Sequence, residues 1–375
     1  MKFTCDRSAL VDKLAILARG VSTRSALPVL SGILLQAAEG RLDLFSTDME
    51  LSLKATMATA VERDGEIVVP ARLFTDVVRN LSGDQVVVEA GEAAVKVTAG
   101  RAEFSLNAWS ASDFPQTSTF DTSGGFGMGR EPFVETLNKV GRAASRDETR
   151  PILTGVLMTI LGDTLKMVAT DSYRLAVKET KLEKTLEAEV QAIVPVRALT
   201  EVARLAASMG EGEIEVAIGE NQALFKLTDA AGDVWVASRL IDGQFPNYKQ
   251  LLPDSFDHEV TLARDEFMGV ARRVSLLAQK NAPLRLSFAA GKLTMRALTQ
   301  DVGQAEESVD IDFVGEETFE IGFNPAYLVD GIDAIEGAEV LLRFTSPLRP
   351  GLISGKSGEH GGEFVYLIMP IRLSN

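Results

Sequence analysis

The sequence predicts an α+β fold built from three copies of one domain, and two spacings carry that reading. Pro28-Val-Leu-Ser-Gly32 recurs as Pro151-Ile-Leu-Thr-Gly155, and Thr47-Asp48 recurs as Thr170-Asp171; both pairs are offset by 123 residues. Two landmarks that share one offset mark a duplication, and 375 residues hold close to three such lengths. A third observation is the order of elements. Each repeat reads strand, helix, three strands, and does so twice. Six such units are expected to put helices on one face and antiparallel sheets on the other.

The first repeat opens on a short strand, Lys2 to Thr4. Asp6 or Ser8 can cap a helix reaching about Arg19, with Leu10, Leu14 and Leu17 on one face. Strands are expected at 29–37, 41–47, 51–58 and 66–69, with turns at Glu39-Gly40 and Thr47-Asp48. Pro70-Ala-Arg-Leu opens a second helix to about Leu81, followed by strands at 85–90, 93–99 and 103–107. Thr122-Ser-Gly-Gly reads as a linker. In the second repeat Pro132 suits the first turn of a helix carrying Phe133, Leu137 and Val140. Strands fill 151–177, Val194-Pro-Val-Arg197 echoes Val69-Pro-Ala-Arg72 and leads a helix to Met209, and Phe245-Pro246 echoes Phe114-Pro115. The third repeat carries Phe267, Val270, Val274 and Leu277 at helical spacing. Asn324-Pro325 caps a last helix to about Glu336, and a final strand is expected at 364–373. The domains are therefore placed at residues 1–122, 126–254 and 257–375.

Hydrophobic content of 46% with 24% charged residues is ordinary for a globular chain. No run has the length of a membrane span, and Met1-Lys2-Phe3 leads into polar residues, so neither a membrane segment nor a secretory leader is expected. One cysteine, Cys5, excludes an internal disulfide framework and fits a reducing cytoplasm. His258 and His360 lie far apart with no cysteine cluster, so no metal is expected, and no cofactor.

A net charge of -15 argues at first sight against nucleic acid. The charges are segregated, however. The six expected helices hold 12 Lys and Arg against 10 Asp and Glu, a balance of +2, which leaves -17 on the sheets and loops. Such a chain admits a polyanion at its helical face and repels it elsewhere. The sixth helix is an exception, with Asp330, Asp333 and Glu336 and no base.

Several segments then carry a resemblance across the whole chain: Met1-Lys-Phe-Thr, Leu27-Pro-Val-Leu, Val69-Pro-Ala-Arg, Phe104-Ser-Leu, Val168-Ala-Thr-Asp with Arg174-Leu-Ala, Asp242-Gly-Gln-Phe-Pro-Asn-Tyr, Ile321-Gly-Phe-Asn and Met369-Pro-Ile-Arg-Leu373. In this order and spacing the sequence resembles the beta-subunit family of bacterial DNA polymerase III, the sliding clamps. The resemblance implies a non-catalytic processivity factor: a head-to-tail homodimer ring around duplex DNA. Twelve helices spaced about 10 Å apart trace a circle of about 38 Å diameter, and subtracting one helix width leaves roughly 28 Å. That admits a duplex with a layer of water, held by topology rather than by tight contact.

The DNA-contacting candidates are Arg24, Arg72, Arg79, Arg142, Arg146, Arg197, Arg204, Arg272 and Arg273. Arg24 and Arg146 match family positions near DNA, and the others follow from helix placement. The resemblance also implies a pocket for short hydrophobic peptides between the second and third domains: Leu153, Thr170, Ser172, Tyr173, Arg174, Leu175, Pro246, Leu251, Met369, Pro370, Ile371, Arg372 and Leu373. An apolar groove with a few polar groups is what peptide anchoring requires. The implied partners are the polymerase alpha subunit, the clamp loader, other polymerases and repair proteins. Ser172 and Tyr173 replace the glycine and histidine of the enterobacterial pattern, Gln250 stands where that pattern has arginine, and Ser374 and Asn375 extend beyond its usual last leucine. Phe104 and Leu106 would meet Leu276 and Leu277, on the first helix of domain three, across the protomer contact.

Rival readings are weaker. Gly351-Leu-Ile-Ser-Gly-Lys-Ser357 is one residue short of phosphate-loop spacing and no helix follows it. Gly124-Gly-Phe-Gly-Met-Gly129 lacks dinucleotide spacing. Asp48 and Asp171 occupy the same turn of a repeat, so a turn role explains them better than a catalytic pair. A scaffold of repeated domains with no role on DNA is the remaining alternative.

Overall fold

The computed structural model describes residues 1–22, 25–115, 120–278, 282–299, 302–313, 318–355 and 364–373. Its helices are α1 (Arg7–Leu17), α2 (Ala71–Asn80), α3 (Arg130–Val140), α4 (Val196–Ser208), α5 (Arg264–Ser275) and α6 (Pro325–Asp333). Contacts sort the chain into two compact units, residues 1–131 with 197–240, and residues 132–196 with 241–375.

The first unit holds two antiparallel sheets. One runs Ala60–Arg63, Lys2–Asp6, Gln85–Ala90, Ala94–Ala99, Ala102–Asn107. The other has eight strands: Phe126–Gly129, Glu213–Ile218, Gln222–Asp229, Gly232–Arg239, Leu51–Ala58, Arg41–Thr47, Gly32–Ala38 and Gly65–Pro70. Strand Leu51–Ala58 of the first repeat pairs with Gly232–Arg239 of the second, Val234 opposite Ala55 and Ser238 opposite Leu51. Strict alternation explains the half-buried strands: in Gln85–Ala90 every second residue is inside. In α2, Ala71, Phe74, Thr75, Val77 and Val78 face the core, and Arg72 and Arg79 are left exposed.

The second unit repeats the plan. Its six-stranded sheet runs Gly155–Thr170, Arg174–Pro195, Phe364–Ile368, Gly351–Ser354, Glu339–Phe344, His258–Ala263. Its four-stranded sheet runs Gly303–Asp310, Lys292–Thr299, Leu284–Ala289, Phe319–Phe323. The core between them is aromatic: Phe319 stacks on Phe344 at 4.7 Å, Phe288 lies 4.9 Å from Phe344, and the His258 ring sits 4.9 Å from Phe319. His258 is a packing residue.

Local signals hold at the helix starts. The Asp6 carboxylate accepts from the Ala9 N–H, and Asn324 accepts from Ala326 and Tyr327 with Pro325 at the first helical position. Buried Cys5 has its thiol pushed up to about 12 by desolvation, with Asp6 adding to the shift, so it stays protonated.

Several expectations are corrected. The repeats do not each own their sheets, because neighbouring repeats share strands and leave fewer open edges. Pro28–Ser31 is a 3-10 turn, so the strand starts at Gly32. An additional strand, Ala60–Arg63, pairs with the amino-terminal strand. Residues 155–195 form two long strands with register shifts between Ile160 and Gly162 and between Gly162 and Thr164. Helix α5 ends at Ser275, so Leu276 and Leu277 lie past its last turn. Helix α6 ends at Asp333, short of Glu336. The final strand stops at Ile368, because Pro370 has no N–H for a ladder, and only Ile371 bridges back to Gly322.

Arg130 binds the first unit together at one point. It is 3% exposed, and its guanidinium donates to the carbonyls of Met209 (3.0 Å) and Glu211 (3.2 Å), just past the end of α4, and of Thr228 (2.6 Å) on strand Gln222–Asp229. Replacing it leaves part-buried carbonyls without their donor, two of them at a helix carboxyl end. Arg130→Ala is expected to lower unfolding free energy by about 3 kcal/mol, measured by urea denaturation.

Candidate functional site

The turn after strand Gly155–Thr170 is built by side chains bonding to backbone. The Asp171 Oδ1 accepts from the N–H groups of Tyr173 (2.9 Å) and Arg174 (3.1 Å), and Thr170 Oγ1 accepts from Ser172 N (3.2 Å). The first repeat makes the same turn. Asp48 Oδ1 accepts from Glu50 (3.1 Å) and Leu51 (2.8 Å), and Thr47 Oγ1 accepts from Met49 N (3.0 Å). Ser172 and Met49 share a left-handed φ, 81° and 80°. Both aspartates therefore serve turns, as an Asx turn requires.

Arg174 turns inward from this loop, its side chain 11% exposed. Its Nε donates to Asp171 Oδ2 at 3.0 Å, its Nη1 donates to Asp330 on α6 and lies 3.4 Å from the Tyr366 hydroxyl, and the guanidinium stacks over the Tyr327 ring at 4.3 Å. Burial opposes the charge, but the Tyr366 oxygen and the Asp330 and Asp171 carboxylates more than offset it and hold the pKa above the usual arginine value. Burial in turn pushes the Tyr366 phenol up, further than Arg174 pulls it down, so it remains a neutral donor to the Tyr327 carbonyl at 3.0 Å.

Beside this polar knot lies a buried apolar cluster of Leu157, Val168, Leu175, Val177, Ile193, Phe245, Tyr248 and Leu367, with Ile152, Ile241, Leu252 and Met369 against it. The Met369 N–H donates to the Tyr173 carbonyl at 2.8 Å, extending the ladder one residue beyond the last strand. Four segments distant in sequence thus converge. Of the pocket candidates, Leu175 and Met369 belong to the cluster, and Thr170, Ser172, Tyr173 and Arg174 form the turn beside it. Tyr173 is 60% exposed, and Leu251 and Pro246 are exposed on the segment that buries Phe245 and Tyr248. Leu153 is buried in the 3-10 turn Pro151–Thr154. Pro370 follows Met369 out of the strand, half-buried. The last candidates diverge: Ile371 donates to the Gly322 carbonyl, Leu373 packs where a Gly322 Cβ would stand, and Arg372 is exposed. Ser374 and Asn375 lie outside the described residues.

Sequence reasoning does not pick out Phe245, Tyr248, Ile152 and Asp330 as residues of this site. A signal existed for the first: Phe114, its counterpart before a proline, is buried in the matching first-repeat cluster with Val29, Leu34, Phe45 and Val68. No local signal joins Asp330 to Arg174, 156 residues away.

The arginine candidates are held differently. Arg72, Arg79 and Arg146 are exposed, Arg72 reaching Asp76 only at 4.0 Å. Arg197 pairs with Asp48 at 2.6 Å, and Arg204 pairs with Glu201 at 2.9 Å, a carboxylate that also takes Arg19, just past the end of α1, at 2.9 Å. In the second unit Arg142 and Arg272 both reach Asp333, whereas Arg273 is turned onto Glu307 of the edge strand Gly303–Asp310. Arg142 sits in the 3-10 turn Gly141–Ala143 that follows α3. Arg24 lies outside the described residues. Phe104 is exposed on an edge strand, but Leu106 points into its own core. Leu276 is 81% exposed and Leu277 half-buried.

Three α+β domains with shared antiparallel sheets and six helices define the fold of a DNA sliding clamp. Family models for the N-terminal, central and C-terminal domains of the DNA polymerase III beta subunit match residues 1–118, 128–247 and 249–372. The chain belongs to that family, the beta sliding clamps. Its function is that of the processivity factor of DNA polymerase III, a subunit without catalysis of its own. It is 34% identical to the beta sliding clamp of Streptomyces coelicolor, with all of both chains covered. It is 30% identical to that of Bacillus subtilis, over 99% of this chain and 100% of the relative. The Bacillus subtilis clamp structure superposes with a TM-score of 0.93 at 29% identity, all of both chains covered. A Pseudomonas aeruginosa clamp bound to griselimycin superposes with a TM-score of 0.89 at 30% identity, again with full coverage.

Glu135 of α3 links this region to pH. It accepts from Lys139 at 2.7 Å and lies 3.5 Å from Lys178, and Lys139 also reaches Glu336 at 2.8 Å. Burial pushes the Glu135 carboxyl up, but the two lysines outweigh it and its pKa falls below the ordinary value. A depressed folded pKa adds stability that is present above the unfolded value of about 4.3 and lost as pH falls through the folded one. Glu135→Gln is expected to flatten the acid limb of a melting-temperature profile below about pH 5, and an unchanged limb would refute the assignment.

Proposed function

We propose that two protomers close head to tail into a ring around duplex DNA, with domains bounded at residues 1–122, 126–254 and 257–375. Supporting the reading is the distribution of charge. The helices carry nearly balanced charge on a chain of net charge -15, so the duplex is admitted at one face and gripped weakly there. Arg72, Arg79 and Arg146, exposed and among the described residues not drawn into close carboxylate pairs, are the strongest phosphate contacts of the set. Arg142, Arg197, Arg204 and Arg272 supply a weaker, already partnered background. Arg273, bonded to Glu307, supports the edge strand more than the DNA face.

Exposed Phe104 and Leu276 suit the protomer contact, Phe104 on strand Ala102–Asn107 and Leu276 just past α5, which packs against strand Gly303–Asp310; both strands are sheet edges among the described residues. Buried Leu106 supports that contact from within. The polymerase alpha subunit, the clamp loader, other polymerases and repair proteins would bind through short hydrophobic peptides at the cluster around Leu175 and Met369. Exposed Tyr173 and Leu251 form its rim, and the protein would work in the cytoplasm, which its single cysteine suits.

The carrying experiment is retention on DNA. A loaded clamp is expected to stay on a circular duplex and to run off once the circle is cut; equal loss from both forms refutes the ring. Light scattering is expected to give a dimer, and Phe104→Asp with Leu276→Asp a monomer that is not retained. Tyr173→Ala with Leu251→Ala is expected to weaken a polymerase-derived peptide roughly tenfold, about 1.4 kcal/mol, without shifting the melting temperature.

A further inference from the structure

Helix α6 and the turn after it carry acids and no bases, yet each acid is matched. Asp330 takes Arg174, Glu336 takes Lys139 at 2.8 Å, and Asp333 takes two partners at once. Its Oδ2 lies 3.1 Å from Arg142 Nη1 and its Oδ1 lies 3.3 Å from Arg272 Nη2. The arrangement is braced by backbone: Arg142 Nη1 also donates to the Asp330 carbonyl at 3.1 Å, and Arg264 Nη2 donates to the Asp333 carbonyl at 3.4 Å. Arg142 and Arg272 come from different elements, the turn after α3 and α5, and meet on one anion.

We propose that Asp333 is a built-in substitute for a DNA phosphate, occupying Arg142 and Arg272 so that they do not hold the duplex. The inference rests on the reading that these arginines face DNA. A carboxylate that binds two guanidinium groups through separate oxygens mimics the two-oxygen face of a phosphodiester. A passing phosphate must displace it to gain the same contacts, so the net gain is small. Asp333 stays within reach of solvent, its side chain 42% exposed against 60% for Arg272 and 25% for Arg142. The pairs are thus open to exchange rather than locked in the core. The first unit carries a parallel device. Glu201 of α4 takes Arg204 of its own helix and Arg19 from the end of α1, both at 2.9 Å. In each unit one carboxylate restrains two arginines of the helical layer. Weak grip is then a balance of opposite charges, not a shortage of arginine.

The test is a cycle of four full-length proteins: the parent, Asp333→Asn, Arg142→Gln/Arg272→Gln, and all three changes together. Each binds a short linear duplex, followed by fluorescence anisotropy from low to moderate salt. Asp333→Asn is expected to bind more tightly, with a log–log salt slope steeper by up to about 1.8, the counterion release of two freed arginines. Removing the arginines is expected to cost little with Asp333 in place and to abolish the whole gain in the Asp333→Asn background. Equal losses in both backgrounds overturn the proposal: the arginines then reach phosphate past Asp333, and their DNA-facing role stands. No loss in either background means these arginines do not face DNA, and the proposal falls with that reading. If Asp333→Asn does not fold, Asp333→Ser takes its place in the same cycle and is read the same way, and a slope change near the full value of about 1.8 on removing the arginines from the parent itself overturns the proposal.

Discussion

The architecture depends on strand pairing between repeats. A β-edge presents unpaired N–H and C=O groups, and those groups must find partners. Strand Leu51–Ala58 of the first repeat finds them in Gly232–Arg239 of the second. Strand Arg174–Pro195 of the second repeat finds them in Phe364–Ile368 of the third. Each compact unit is therefore a composite of two repeats. The fusion also places the chain's last strand beside the Thr170–Arg174 turn. The Met369-to-Tyr173 hydrogen bond is the final rung of that ladder, so the candidate peptide site is a by-product of how the sheet is completed.

The same composite character governs charge. Asp330, Asp333 and Glu336 make the sixth helix look hostile to a polyanion when counted by itself. In the folded unit each is neutralised by a base from elsewhere in the chain: Arg174, Arg142 with Arg272, and Lys139. The helices of each unit thus carry compensated pairs, and among the described residues Arg72, Arg79 and Arg146 make no close carboxylate pair. Such a surface suits a processivity factor, which gains nothing from holding one stretch of DNA strongly. A clamp must travel, and friction would rise with every phosphate gripped.

The internal repeat also shows how one scaffold yields two outcomes. The turns at Asp48 and Asp171 have the same hydrogen bonds and the same left-handed residue. Their apolar clusters match, Phe114 in one and Phe245 in the other. All three residues after the aspartate differ, and the third changes the surroundings most. Leu51 in the first repeat is an ordinary core residue, whereas Arg174 in the second recruits Asp330, Tyr327 and Tyr366. The arginine in that third position makes the second turn a polar hub.

From the sequence alone came the threefold duplication, the α+β class, the helix caps at Asp6 and Asn324 and the turn role of Asp48 and Asp171. All of these are set by contacts within a few residues, where periodicity and capping chemistry act. The family resemblance was legible for the same reason, since its motifs are short and ordered. Tertiary structure alone decided which strands share a sheet, that Leu106 is buried while Phe104 is exposed, and that Ile371 and Leu373 leave the apolar cluster for Gly322. It alone joined Arg174 to Asp330 and set Asp333 between Arg142 and Arg272. Those outcomes depend on partners far away in the chain or on which side of an edge strand faces the core, and no local pattern encodes either.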